Sequence, residues 1–246
     1  MAKIGIYNEP AGGSLGGSEN VVSVLAEALA GEHRVELLHH IPSLTAERLA
    51  ATFGADLSNV SLRYVEPDGD AAPYSRNPLK RYGRARRWHA DLSKPYDLFI
   101  AALHGAPPFC HAGKGALFVH FPMRSAPYLK PPDEMLTKSS SRRRLEHFYQ
   151  KYEWARRMAG YQLVTANSEF TRAWVRRRWE VDCEVVYPPV DTDFGRSEKS
   201  DLILSVGRFA FSGGGHMMKK QPEMMGVFRR MREGGLRGWE YVCAGG

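Results

Sequence analysis

Residues 3–29 read KIGIYNEPAGGSLGGSENVVSVLAEAL, and this stretch contains the signals of a strand, a glycine-rich loop and a helix. Its first five residues form a short, mostly apolar run that is typical of a buried strand. From Ser18 to Leu29 the apolar residues recur at helical spacing. A strand that passes through a loop into a helix is the repeating unit of α/β folds with parallel sheets.

Similar apolar runs follow along the chain. Further strands are predicted at 34–38, more weakly at 60–64, and at 96–101, 116–120 and 161–166. A helix over 169–178, capped by Asn167 or Ser168, leads to a last strand at 184–187. Because near-continuous apolar strands separated by helices form sheets covered on both faces, we predict an α/β fold with a Rossmann-like parallel sheet.

A second, shorter unit follows a predicted linker. The turn Tyr187-Pro188-Pro189-Val190-Asp191 and the polar stretch 191–200 indicate a break between domains. We therefore place an N-terminal domain at 1–195 and a second domain at 196–246. In the second domain a strand at 201–206, a helix over about 221–232 and a strand at 239–243 are predicted. We expect this domain to be an incomplete Rossmann-like unit.

The composition is that of a globular protein with a basic surface. The chain has 246 residues, of which 43% are hydrophobic, and a formal net charge of +7 that favours anionic partners. The cysteines Cys110, Cys183 and Cys243 lack metal or redox spacing. No stretch approaches the ~20 apolar residues that span a bilayer, and the N-terminus lacks a signal-peptide pattern. We expect a cytoplasmic protein.

Ordered motifs give the chain a family resemblance over essentially its whole length. The motifs are Gly16-Gly17-Ser18-Glu19, Val119-His120-Phe121-Pro122, Ala166-Asn167-Ser168-Glu169-Phe170-Thr171, Val186-Tyr187-Pro188-Pro189-Val190-Asp191, and Gly207-Arg208 with Lys219-Lys220. Their order resembles glycosyltransferase family 4. The resemblance implies the GT-B fold, in which two Rossmann-like domains face each other across a cleft. The first domain then binds mainly the acceptor and the second mainly the nucleotide sugar.

The resemblance also implies an activity. Enzymes of this family move a hexose from a nucleotide diphosphate sugar to a hydroxyl acceptor, and retention of anomeric configuration is implied. The Val-His-Phe-Pro and Tyr-Pro-Pro motifs are most similar to the mannosyltransferase branch, which implies GDP-mannose more weakly than it implies the family. The family's later segment, with two Glu residues separated by seven others, is not found in this sequence.

The first candidate site residues are Gly16, Gly17 and His120. A glycine-rich loop that opens a helix brings backbone N–H groups and the positive end of the helix dipole close to a ligand. The resemblance implies that Gly16 and Gly17 lie against the transferred sugar and diphosphate, and a plain tight turn is the alternative. It implies that His120 is the active-site histidine that faces the donor sugar. His104, at the end of the preceding predicted strand, is the competing candidate.

The remaining candidates are two cations. The resemblance implies that Arg208 and Lys220 neutralise the diphosphate, for which Arg offers a rigid fork and Lys a mobile point charge. Lys219 is the alternative to Lys220, because the Gly213–His216 insertion leaves the register open. Solvated surface cations are the simpler interpretation. No metal or other cofactor is expected, since the chain has no Asp-x-Asp motif and two cations would supply the positive charge.

Basic runs occur at 76–87, 142–144 and 156–157, and by themselves they do not identify a binding partner. Solvated helix faces are the default interpretation. A functional alternative is peripheral contact with anionic lipid at the inner membrane face, beside a lipid-linked acceptor; a polysaccharide acceptor is also compatible. No nucleic-acid-binding motif is present, so no nucleic acid is expected. The competing function is a non-catalytic Rossmann-like module that binds an acceptor or a protein. The missing dinucleotide fingerprint disfavours an oxidoreductase.

Overall fold

The structure is a computed structural model that describes residues 1–8, 15–66, 78–126, 129, 141–192, 195, 198–207, 209 and 219–245. The chain divides into two compact units, Met1–Val190 and Asp191–Gly246. Each unit is an α/β arrangement of parallel strands and helices.

The first unit is built on a parallel sheet. Its strands are β1 (Lys3–Asn8), β2 (Arg34–His39), β3 (Val60–Tyr64), β4 (Leu98–Leu103), β5 (Lys114–Val119), β6 (Leu163–Ala166) and β7 (Glu184–Val185). The spatial order is β3-β2-β1-β4-β5-β6-β7, with every neighbouring pair parallel. The predicted Rossmann-like parallel sheet is therefore confirmed. The strand order reverses between β1 and β4, and ligands of open α/β sheets bind at the carboxyl ends of the strands at such a point.

Helices cover both faces of this sheet. They are α1 (Gly17–Ala30), α2 (Ala46–Phe53), α3 (Pro78–Ser93), α4 (Ser141–Met158) and α5 (Glu169–Trp179). On one face Ile6, Ile100 and Phe118 belong to an apolar cluster that includes residues of α1 and α2. On the other face a second cluster joins Phe99 and Leu117 to Trp154 of α4 and Trp179 of α5. Burial on both faces explains why these strands are almost uniformly apolar in sequence.

Two strands of the first unit begin two residues later than the sequence predicts. The predictions start at Tyr96 and Tyr161, but β4 begins at Leu98 and β6 at Leu163. The N–H of Tyr96 donates to the carbonyl of Ser93, and the N–H of Tyr161 donates to the carbonyl of Met158. Both tyrosines are therefore held by the turn that follows a helix, although their aromatic rings are buried like strand residues.

One of the basic residues is structural. Arg157 of α4 forms an ion pair with Glu153 at 2.7 Å, and both side chains are only 15% exposed. Its guanidinium also donates to the carbonyl of Pro107 and lies 4.4 Å from the ring centroid of Phe109. The interpretation of the basic runs as solvated faces is thus wrong for Arg157. No helix in the described part of the chain is both long enough and apolar enough to cross a membrane.

The described part of the second unit is a strand-helix-strand motif. Strand β8 (Leu202–Val206) is followed by α6 (Gln221–Glu233) and β9 (Glu240–Ala244), and the two strands pair in parallel. This order is the one predicted from the sequence. A crossover between parallel neighbours places the N-terminus of α6 at the carboxyl end of β8.

Candidate functional site

Polar side chains line the carboxyl edge of the first sheet, on the face covered by α1. The register aligns Asn8 with Ala102, and His39 follows Leu38, which pairs with Tyr7. Ala102 belongs to the apolar cluster on the α1 face, and side chains alternate along strands, so Asn8 and His39 project to that face. His120 is tied to the same face because its ring contacts that of Phe118, at a centroid distance of 5.2 Å. We call Asn8, His39, His104 and His120 the polar row.

A buried carboxylate fixes the start of α1 beside this row. Glu19 is 4% exposed and accepts hydrogen bonds from the N–H of Gly16 at 2.8 Å and from the hydroxyl of Ser18 at 2.9 Å. Its other oxygen accepts from Nδ2 of Asn8 at 3.1 Å. This is the Glu half of a capping box, with Gly16 at the N-cap. The N–H of Gly16 is therefore already engaged by Glu19 and is not available to a ligand.

Replacing Glu19 with Ala should lower the free energy of unfolding by about 2–4 kcal/mol. The change removes a carboxylate from a helix N-terminus and leaves the buried Nδ2 of Asn8 and the half-buried N–H of Gly16 without their partner. Urea unfolding followed by tryptophan fluorescence measures the loss. Glu27→Ala on the same helix is the matched control, because Glu27 is exposed and its loss should change stability by less than about 0.5 kcal/mol. Equal effects of the two variants would contradict the capping role.

His120 lies directly after β5 and is 7% exposed. Its ring stacks on that of His104 with centroids 5.0 Å apart. Within the described residues, its Nε2 atom is buried and has no hydrogen-bond partner. Burial, assisted by the charge of His104, lowers the pKa of His120 to about 4. The imidazole is therefore neutral at pH 7 and suited to exchanging a hydrogen bond with a hydroxyl group.

The backbone around His120 is held by the strand-helix turn that follows β6. Nδ2 of Asn167 donates to the carbonyl of His120 at 2.8 Å. Ser168 is the N-cap of α5, where its hydroxyl accepts from the N–H of Thr171. Glu169, the first residue of α5, does not contact this loop through an ion pair: its side chain is 67% exposed and pairs with Arg172 of the same helix at 3.6 Å.

The far end of α5 braces the segment that follows His120. Nη1 of Arg178 donates to the carbonyls of Pro122 and Met123, at 2.6 and 3.1 Å. Nε1 of Trp179 donates to the carbonyl of Arg124 at 2.9 Å. The position of His120 thus depends on both ends of one helix, which is a property of the tertiary fold.

Acid should destabilise the first unit through its buried histidines. Burial lowers the pKa of His120 to about 4, and burial with the nearby Arg157 lowers that of His89 to about 3, against 6.5 in an unfolded chain. Above pH 6.5 both states are neutral, so these groups contribute no pH dependence. Between pH 6.5 and about 4 the unfolded chain binds protons that the folded chain does not, so stability falls as pH falls.

From pH 7.5 to pH 5 the loss should be on the order of 4 kcal/mol for the two groups together. Urea unfolding at a series of pH values measures it, and His89→Asn should remove about half of the dependence on pH. An unfolding free energy that stays constant over this range would show that these histidines accept protons in the folded state.

The second-unit candidates lie at the N-terminus of α6. Lys220 is the N-cap, with φ of 55°, and both Lys219 and Lys220 are exposed. Lys219 lies against Gly207, with its Cγ 3.3 Å from the position that a Cβ on this glycine would occupy. Both lysines thus stand near the end of β8, and the choice between them stays open. Arg208 lies outside the described residues.

The structure adds residues that sequence reasoning did not assign to the site. Glu19 and Asn167 stand within the family motifs, but the motifs do not indicate these roles, and His39 belongs to none of the motifs. A glycine followed three residues later by Glu at a helix start is a recognisable capping signal for Glu19. His39 carries no such local signal. Among the described residues, no group of three or more His, Cys, Asp or Glu side chains is arranged to hold a metal ion.

Residues 15–194 match the sequence model of Glycosyltransferase Family 4. The match spans well over half of the chain, so the protein belongs to glycosyltransferase family 4. Together with the parallel α/β units, this membership confirms the GT-B type of fold. The match identifies the family and does not distinguish the mannosyltransferase branch from its other branches. A comparison with curated proteins gave no match.

Solved structures also resemble the chain. HepE of Anabaena in complex with UDP is 14% identical, with a TM-score of 0.47 over 98% of this chain and 69% of that chain. UGT2 of Phytolacca americana, complexed with UDP-2-fluoro-glucose and pterostilbene, is 12% identical, with a TM-score of 0.48 over 100% of this chain and 72% of that chain. At TM-scores below 0.5, these similarities identify neither a donor nor an acceptor for this protein.

Proposed function

We propose that this protein transfers a hexose from a nucleotide diphosphate sugar to a hydroxyl acceptor. The observation that carries the proposal is His120, a buried neutral imidazole with an unpartnered Nε2 in the described structure. It lies at the carboxyl edge of a parallel sheet, on the face where α1 begins. Membership of glycosyltransferase family 4 supports the same activity.

In the proposed reaction, the bond between the anomeric carbon and the diphosphate oxygen breaks and a bond to the acceptor oxygen forms. The acceptor hydroxyl gives its proton to the departing nucleotide diphosphate, whose oxygen takes the electron pair of the broken bond. His120 positions the transferred sugar through hydrogen bonds to its hydroxyls, in a site where burial strengthens such bonds. Gly16 and Gly17 let the sugar and diphosphate approach the start of α1 closely, because they carry no side chains.

Cationic side chains stabilise the nucleotide diphosphate as it leaves. Arg208 and Lys220, with Lys219 as the alternative, balance the negative charge that develops on the diphosphate. We propose mannose as the sugar, GDP-mannose as the donor and retention of configuration, on the resemblance of the sequence motifs to the mannosyltransferase branch. We further propose a reaction without a metal ion, since side-chain cations would supply the charge.

The acceptor and the location are part of the same proposal. A lipid-linked acceptor or a polysaccharide supplies the hydroxyl, in the cytoplasm, and a lipid-linked acceptor would bring the protein to the inner membrane face. The net charge of +7 supports contact with anionic headgroups. Nucleic acid is not a proposed partner.

Calorimetric titration of the purified chain with GDP-mannose, UDP-glucose and GDP tests the donor, and an assay for released GDP or UDP tests turnover. We expect GDP-mannose to bind and to be consumed in the presence of an acceptor. Binding of UDP-glucose instead would replace the donor but keep the reaction class. Donor binding without turnover would favour a non-catalytic module, and absence of both would overturn the proposal.

A further inference from the structure

Three residues of the polar row carry a buried polar atom that has no hydrogen-bond partner among the described residues. Within the described residues, Oδ1 of Asn8, Nδ1 of His39 and Nε2 of His120 are buried and lack hydrogen-bond partners. Each of these residues is only 6–7% exposed. A buried polar atom without a partner is costly, so such atoms concentrate where a ligand or ordered water completes the site. Their common edge and face mark a binding surface wider than one histidine.

The strand order sets the extent of this surface. His39 ends β2, Asn8 ends β1, and His120 follows β5, with β4 between β1 and β5. Adjacent strands are about 4.8 Å apart, so His39 and His120 are separated by three spacings, or about 14 Å. A single hexose ring at His120 would not reach His39. The end of the polar row that contains Asn8 and His39 is therefore available to the acceptor or to another part of the donor.

The chemistry of this end favours an uncharged ligand. Asn8 offers an amide oxygen, and its Nδ2 is already used by Glu19. Burial lowers the pKa of His39, against the opposing effect of a hydrogen bond to the backbone of Ile41, so its imidazole is neutral at pH 7.5 and brings no charge to a ligand. Hydroxyl groups, which both donate and accept, match this set of atoms.

We propose that Asn8 and His39 form a subsite for the hydroxyl groups of a neutral sugar ring in the acceptor, beside the transferred hexose at His120. The proposal rests on the proposed function, since it takes the His120 end as the place of the donor sugar. The substrate class is an acceptor that presents a neutral glycosyl residue, and the group to which that residue is attached is not specified.

The neighbouring histidine supplies a matched control. His40 projects to the opposite face, where its Nε2 lies 2.9 Å from the hydroxyl of Tyr7 and its Nδ1 lies 2.6 Å from the carbonyl of Val65. Because both of its ring nitrogens are hydrogen-bonded and its ring stacks on Trp88, His40 is not expected to contact the ligand. Comparing His39 with His40 therefore separates ligand contact from a general effect of altering an imidazole at the end of β2.

Nitrogen-15 NMR of the histidine rings in the full chain tests the subsite directly, with methyl α-D-mannopyranoside as the probe. We expect the Nδ1 signal of His39 to shift on titration while both nitrogens of His40 stay unchanged. The variant His39→Phe should weaken binding of the probe by about tenfold or more, the loss of one good hydrogen bond, whereas His40→Asn should not. Mannose 6-phosphate should bind no better than the neutral glycoside.

The outcomes separate this subsite from the proposed function. If the donor binds but the probe leaves His39 unshifted, the subsite is wrong and the transferase activity stands. If the probe shifts His39 but no sugar nucleotide binds, the neutral-sugar site is correct and the donor assignment is wrong. Stronger binding of mannose 6-phosphate, lost in His39→Phe, would overturn the neutral class of ligand.

Discussion

The variant His120→Ala should reduce kcat/KM for sugar transfer by about 100-fold or more. Its imidazole provides a buried, neutral hydrogen-bonding atom where the transferred sugar is proposed to lie. Loss of one positioned polar group in a water-poor active site typically costs two to three orders of magnitude. The measurement is the initial rate of GDP release at several donor concentrations, with variant and native protein compared in the same assay.

Two controls distinguish this role from a structural one. His40→Asn alters a histidine at the same edge of the sheet but on the opposite face, and should leave the transfer rate within about twofold of the native value. Urea unfolding at pH 7.5 should show that His120→Ala is still folded. A folded His120→Ala protein with native kcat/KM would exclude His120 from the reaction and return attention to His104.

Replacing Gly115 with Ala should be among the most destabilising single changes in the chain, lowering the free energy of unfolding by at least about 3 kcal/mol. A Cβ at this position of β5 would overlap the carbonyl oxygen of Gly160 and come within 2.9 Å of Sγ of Cys110. The obstacle is mainly backbone, which cannot rotate away as a side chain can. Denaturant unfolding or loss of soluble expression measures the effect.

Gly31→Ala is the matched comparison. Gly31 follows α1 with φ of −64° and ψ of −30°, which any residue adopts, and a Cβ there would meet nothing within 4 Å. The substitution should leave stability unchanged or raise it by up to about 1 kcal/mol, since alanine restricts the unfolded chain. If Gly115→Ala behaved like Gly31→Ala, the close approach of β5 to the turn at Gly160 would have to be incorrect.

The local elements follow from sequence because their causes are local. Apolar runs bounded by turns located β1, β3 and β8, and helical spacing located α1 and α6 to within one or two residues. The family motifs then pointed to Gly16, Gly17 and His120. Strand starts were less accurate where a buried tyrosine continued the apolar run, since burial alone does not distinguish a strand from the turn before it.

The sequence by itself thus determined the α/β class, the order of the elements and the family. The tertiary structure decided which polar groups meet: Asn8, His39, His104 and His120 share a face because four strands distant in sequence stand in register. It also decided that Glu19 caps α1 and that Asn167 holds the backbone of His120. Hydrogen bonds and clashes between distant segments leave no periodic trace in either segment, so only the folded chain reveals them.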